Sequence, residues 1–198
     1  MRMGMGMGMR MRVVVAALVA LTGTTSAQGG RGGGRAVTMT LTTTAFEDGR
    51  VIPNKYTQAG EQVSPALSWT GAPDSAKSFV LIMHDIDVAS GPAAEDVLHW
   101  LVWNIPGNAT SLPEGVPQGP EAANGMRQIS VSGPYYRGPG APATGPLHHY
   151  VFELYALDAV IDVPAVGQSP SATRAAVIAA MQGHIRGKGV LVGLFKRP

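Results

Sequence analysis

The sequence predicts a mostly β domain in which two antiparallel sheets pack face to face, with one helix near the C-terminus. Three observations lead there. Apolar residues come in short runs closed by Gly or Pro rather than in long helical stripes. Charged residues make up only 14% of the chain, whereas Gly (26) and Pro (15) are abundant, a balance that goes with strands and loops rather than surface helices. A single segment carries both a helix cap and a run of helix formers. The 198 residues accommodate one domain with its own core, not comfortably two.

The N-terminus is set aside first. Arg2, Arg10 and Arg12 precede an apolar run at 13–21, followed by small and polar residues ending in Ser26-Ala27-Gln28. This order reads as an export signal over residues 1–27 with cleavage after Ala27, so the mature chain is expected to be periplasmic or secreted. The run falls well short of the roughly 20 residues that span a bilayer, and stable membrane insertion is not expected. Losing 1–27 removes three of the 15 basic residues and none of the 13 acidic ones, leaving 12 against 13, or −1. The basic isoelectric point therefore owes much to the leader, and no nucleic-acid partner is expected. The absence of cysteine excludes disulfides, thiolate metal sites and cysteine nucleophiles. Residues 28–36 form a Gly-rich linker, and the folded domain spans 37–198.

Within that domain, residues 37–46 suit a Thr-rich, partly exposed strand. SPALSW at 64–69 reads as a turn entering a strand. FVLIM at 79–83 reads as a central strand buried on both faces and ending at His84. Residues 98–105, 148–157 and 189–195 supply three more strands. Ser169 caps and Pro170 opens a helix whose formers run over 172–185, with Val177, Ala180, Met181, His184 and Ile185 on one stripe. Residues 113–146 read as one long Gly/Pro loop, a feature that goes with function or mobility.

Four of the five histidines, His84, His99, His148 and His149, fall at strand starts or ends, and Asp85 and Asp87 follow His84. Side chains alternate along a strand. Asp85 and Asp87 therefore share a face, as do His148 and Tyr150, while His99 groups with Leu101 and Trp103. Imidazole and carboxylate groups beside apolar strands are costly unless paired, so mutual satisfaction is the bland reading for any one of them. Taken together they suit a small polar pocket. Such a pocket can bind an anionic oxygen group, hold a metal through His and Asp, or do acid–base chemistry through an Asp–His pair. Neither H-E-x-x-H nor G-x-S-x-G occurs, and nothing marks Ser130 or Ser132 as activated.

The order of several motifs resembles the phosphatidylethanolamine-binding protein family, in particular its bacterial branch of Raf-kinase-inhibitor-like proteins. SPALSW at 64–69 is similar to S-P-x-L-x-W, and HDID at 84–87 stands where the family has D-P-D-A-P. HWLVWNIP at 99–106 is similar to H-W-V-x-x-N-I-P. GPLHHY at 145–150 resembles G-x-H-R-Y, and FELYALD at 152–158 resembles F-x-L-Y-A-L-D. The resemblance covers about residues 40–196. It implies two antiparallel sheets with a terminal helix and a small cavity for phosphate-type or other anionic head groups. Carried over by position, it implies that Asp85, His99, His148 and Tyr150 line the cavity, that Asp87 and Trp100 shape its rim, and that Gly133 and Pro134 belong to the bordering loop. Two departures stand out. Ile86 replaces the proline between the aspartates, and His149 replaces the arginine of G-x-H-R-Y. Glu95 and Asp96 are expected to add negative charge near the mouth.

The expectation is thus an exported protein that binds a small anionic ligand, without cofactor, bound metal or catalytic residue. Two alternatives accompany it: an interaction or protease-inhibitor module meeting a protein partner in the envelope, and a metal- or acid–base-assisted hydrolase using His84, Asp85, His99 and His148.

Overall fold

The computed structural model describes Met1, residues 35–90 and residues 95–198. Residues 2–27, expected to be an export signal, and residues 28–34 of the expected linker lie outside the described residues. Ten strands and one helix follow in chain order: β1 (Val37–Thr38), β2 (Thr40–Thr43), β3 (Arg50–Val51), β4 (Leu67–Thr70), β5 (Ser78–Ser90), β6 (Glu95–Pro106), β7 (Ser111–Leu112), β8 (Arg127–Ile129), β9 (His148–Leu157), α1 (Pro170–Met181) and β10 (Ile185–Phe195). The large sheet has the order β1-β10-β9-β5-β6-β8, with β3 also along β10, and the small sheet has the order β2-β4-β7. The predicted two-sheet β fold with a C-terminal helix is what the chain adopts. Among the described residues, no helix is long and apolar enough to cross a membrane.

The run at 79–83 is continuous because both faces of the large sheet are covered. Phe79, Leu81 and Met83 pack toward the small sheet with Leu41, Leu67, Trp69, Phe152 and Leu154. Val80 and Ile82 pack toward α1 with Leu101, Trp103, Val177 and Met181. Glycine on β10 lets the preceding chain cross closely: a Cβ on Gly193 would sit 2.5 Å from the Ile52 side chain, well inside van der Waals contact. Ser169 caps α1 as expected, its hydroxyl accepting from the Ala172 N–H at 3.2 Å.

A β-bulge decides which face His99 occupies. Met83 pairs with Trp100 and His84 with Leu98, leaving His99 as the extra residue on β6. Trp100 and Val102 consequently join the inter-sheet core, whereas Leu98, Leu101 and Trp103 face the helix. His99 lies on the Trp100 side, its ring perpendicular to that of Tyr150 with centroids 5.0 Å apart. The expected grouping with Leu101 and Trp103 is therefore corrected, because strict alternation holds only where the ladder is regular.

Other boundaries differ for physical reasons. The strand expected at 37–46 is split at Met39 into β1, which runs parallel to β10, and β2, which belongs to the small sheet. The large sheet is thus not wholly antiparallel. The strand expected to end at His84 continues to Ser90 through its hairpin with β6. Helix α1 stops at Met181, and Gly183 takes a φ of 79°, which lets the chain reverse so that Ile185 begins β10 rather than ending a helix. The long loop contains β8, which pairs with β6 through Leu101↔Ile129 and Trp103↔Arg127.

Two groups tie the architecture together. Gln128 is buried, its Oε1 accepting from Trp100 Nε1 at 2.8 Å and its Nε2 donating to the Pro117 and Gly119 carbonyls at 2.6 and 3.0 Å. On the helix face, Asp96 accepts from both His84 Nδ1 and Arg174 Nη1. Burial works against its charge, but the Arg174 and His84 bonds outweigh it and hold the carboxyl below its ordinary 3.8.

Gln128→Leu leaves the buried Trp100 Nε1–H and the Pro117 and Gly119 carbonyls without this partner and is expected to cost about 2 kcal/mol, read as a lower urea midpoint with an unchanged slope. A midpoint equal to the parent's would show that the amide is not what clasps the loop. Because the folded Asp96 carboxyl is more acidic than the unfolded one, its contribution is complete above pH ~4 and is lost as pH falls through the lower folded value. Asp96→Asn should cost roughly 2 kcal/mol at pH 7 and flatten the acid limb of the stability curve. An acid limb identical to the parent's would place the proton uptake elsewhere.

Candidate functional site

Strand register assembles the site at one end of the large sheet. Asp85 on β5 stands opposite Tyr150 on β9 and Val97 on β6, and His148 lies two residues before Tyr150 on the same face. The bulge adds His99. These four residues line a cavity of about 140 Å³ together with Gln58, Val88, Val97, Arg137, Gly140, Ala141 and Pro142. Asp85 and His99 are each only 3% exposed and Tyr150 is fully buried.

A buried carboxylate is tolerable only when its lone pairs are used. Asp85 Oδ2 accepts from His148 Nδ1 at 2.8 Å, and Oδ1 accepts from the Asp87 N–H at 3.1 Å. The His148 tautomer is thereby set with its proton on Nδ1, leaving Nε2 for other chemistry. The His99 Nδ1–H donates to the Arg137 carbonyl at 2.9 Å. Burial lowers the His99 pKa, an effect the Arg137 carbonyl and the Asp85 charge oppose only in part, so this ring is neutral at pH 7. The Tyr150 hydroxyl accepts from the Gly140 and Ala141 N–H groups at 3.1 and 3.0 Å. Burial and the neighbouring Asp85 carboxylate push its pKa up to about 12, so it remains a neutral phenol.

The other residues implied by the resemblance do not line the cavity. The half-exposed Asp87 carboxylate is engaged by the backbone N–H of His149 and by its ring Nδ1 at 2.9 Å. Burial opposes its charge, and these bonds hold it below its usual range nonetheless. Trp100 is fully buried in the inter-sheet core, its ring edge-on to Tyr136 at 5.4 Å. Gly133 forms a tight turn with Ser130, and the Pro134 carbonyl accepts from the Gly119 N–H. The bordering loop is instead the stretch 137–142, a few residues further on.

Two further expectations are corrected. His84 faces α1, where it meets Asp96 and lies 3.6 Å from a Glu153 oxygen. It cannot join Asp85, because consecutive strand residues point to opposite faces. Asp96 likewise sits with Arg174 on the helix face rather than at the cavity mouth. Among the described residues, no group of three His, Asp or Glu side chains is arranged to hold a metal ion. The missing proline at Ile86 does not displace Asp85, whose place is fixed by pairing with two strands. Gln58 and Arg137 escaped sequence reading because each lies in a loop, where a lone polar residue reads as solvated.

With this geometry in hand, comparison with known proteins gives a consistent result. The family model described as phosphatidylethanolamine-binding protein matches residues 42–196. A UPF0098 protein of Methanothermobacter thermautotrophicus is 43% identical over 157 residues, covering 78% of this chain and 97% of the relative. The crystal structure of a phosphatidylethanolamine-binding protein homologue from Chlamydia trachomatis is 32% identical, covers 82% of this chain and 100% of its own, and superimposes with a TM-score of 0.66. E. coli YbcL, at 21% identity and covering 81% of this chain and 99% of its own, shares the fold with a TM-score of 0.68. Motif order, sheet topology and sequence similarity over most of the domain agree: the chain belongs to the phosphatidylethanolamine-binding protein family.

Proposed function

We propose that this chain is an exported ligand-binding protein whose cavity holds a small anionic group of the phosphate or carboxylate type. The observation that carries the reading is the Asp85–His148 pair at 2.8 Å at the edge of a cavity that also takes in His99, Tyr150 and Arg137. The buried carboxylate steadies an imidazole whose remaining nitrogen can donate to an anion once protonated. The cavity, about 140 Å³, suits a head group and not an acyl chain. The hydrolase reading is weaker on two counts. Its His84 lies on the other face of the sheet, and no Ser, Thr or Cys side chain is among the residues lining the cavity.

Calorimetric titration of the protein with phosphate, phosphoethanolamine and acetate is expected to show saturable binding, weakened at least tenfold (about 1.4 kcal/mol) in His148→Ala. Equal binding by that variant sinks the assignment, and no binding by either form brings the envelope-partner reading forward. Export is tested separately. Protein recovered from the envelope or medium should begin at Gln28, and an intact N-terminus on cytoplasmic protein alone would remove that part of the proposal.

A further inference from the structure

We propose that Arg137 determines which anions this pocket accepts, by presenting the Nε/Nη2 edge of its guanidinium to two oxygens of the ligand. This rests on the anion-binding reading above. The backbone of Arg137 is locked to the site from both sides: its N–H donates to the His99 carbonyl at 3.0 Å, and its carbonyl accepts from His99 Nδ1 at 2.9 Å. Its Nη1 donates to Ser132 Oγ at 2.6 Å, an exposed contact that holds one end of the guanidinium. Its Nε is shielded from solvent and has no hydrogen-bond partner among the described residues, so the guanidinium turns about its Ser132 bond to bring that edge onto a ligand. A charged donor left unpaired inside a protein is costly and calls for a reason.

The chemistry of the lining supplies that reason. Arg137 is the one permanently cationic side chain among the lining residues. The oxygens of Asp85, the one carboxylate there, already accept from His148 and from the Asp87 N–H. A guanidinium held by one Nη keeps its side-on pair of N–H groups for a carboxylate or phosphate face, a match that an ammonium cannot make. The ligand class is therefore an oxyanion with two oxygens on one face and little bulk behind it, either a free anion or the phosphodiester of a lipid head group.

The test uses the whole protein, Arg137→Lys, Arg137→Gln and His148→Ala. Inorganic phosphate and acetate probe free anions, glycerophosphoethanolamine probes the deacylated lipid head group, and chloride is the single-point anion. Both backbone bonds to His99 are independent of the Arg137 side chain, so the loop should survive its replacement. Phosphate and acetate affinity is expected to fall at least tenfold in Arg137→Lys and further in Arg137→Gln, with the Nε–H nuclear resonance of Arg137 shifting at saturation. The same loss for glycerophosphoethanolamine extends the assignment to the lipid source, and tight binding of that compound untouched by either variant overturns it. Lysine as good as arginine, an unmoved Nε–H resonance at saturation, or chloride bound as tightly as phosphate also overturns it. Binding that vanishes in His148→Ala but persists in both Arg137 variants rejects the role of Arg137 while leaving the pocket reading intact. No binding of any anion by the parent protein rejects both.

Discussion

The burial of the Asp85 carboxylate is the constraint around which this end of the molecule is arranged. A charge 3% exposed within a sheet is stable only if its lone pairs are occupied. The sheet provides this by placing β9 beside β5, so that Asp85 faces Tyr150 and reaches His148, and by turning the Asp87 N–H back onto Oδ1. Tyr150, held by two loop amides, then anchors the 137–142 stretch against the strands. The pocket is in this sense a consequence of satisfying one carboxylate.

The same strand serves two separate networks. Residues 84 and 85 are neighbours in sequence, yet their side chains lie on opposite faces of a sheet covered on both. Asp85 belongs to the pocket, whereas His84 joins Asp96, Arg174, Glu153 and Lys188 beneath the helix. Charges that look like one cluster along the chain are thus divided into a cavity-facing set and a set on the helix side of the sheet. This division separates His84 from Asp85, His99 and His148.

The two departures from the family motifs have structural answers. Where a proline would fix a turn between the aspartates, Ile86 is exposed in a stretch of β5 whose register with β6 is irregular, and the ladder pairing of Asp85 itself does the positioning. Where the motif has arginine, His149 keeps a bond to Asp87 through its ring Nδ1. Neither change reaches the cavity lining, which is made by Asp85, His99, His148, Tyr150 and the loop.

The sequence by itself determined the fold class, the strands whose apolar runs are long enough to be unambiguous, the capped helix, and the shared face of His148 and Tyr150, because these follow from local periodicity and chain chemistry. Motif order also brought Asp85, His99, His148 and Tyr150 together. Only the tertiary structure decided that His99 turns to the Tyr150 side, since a bulge is a mismatch between two strands and has no signature in either one alone. It alone separated His84 and Asp96 from the pocket, placed Trp100 in the core, and moved the bordering loop from Gly133 and Pro134 to residues 137–142. The place of Arg137 beside the cavity was invisible for the same reason: it depends on backbone bonds between the loop and His99 on a strand far away in sequence.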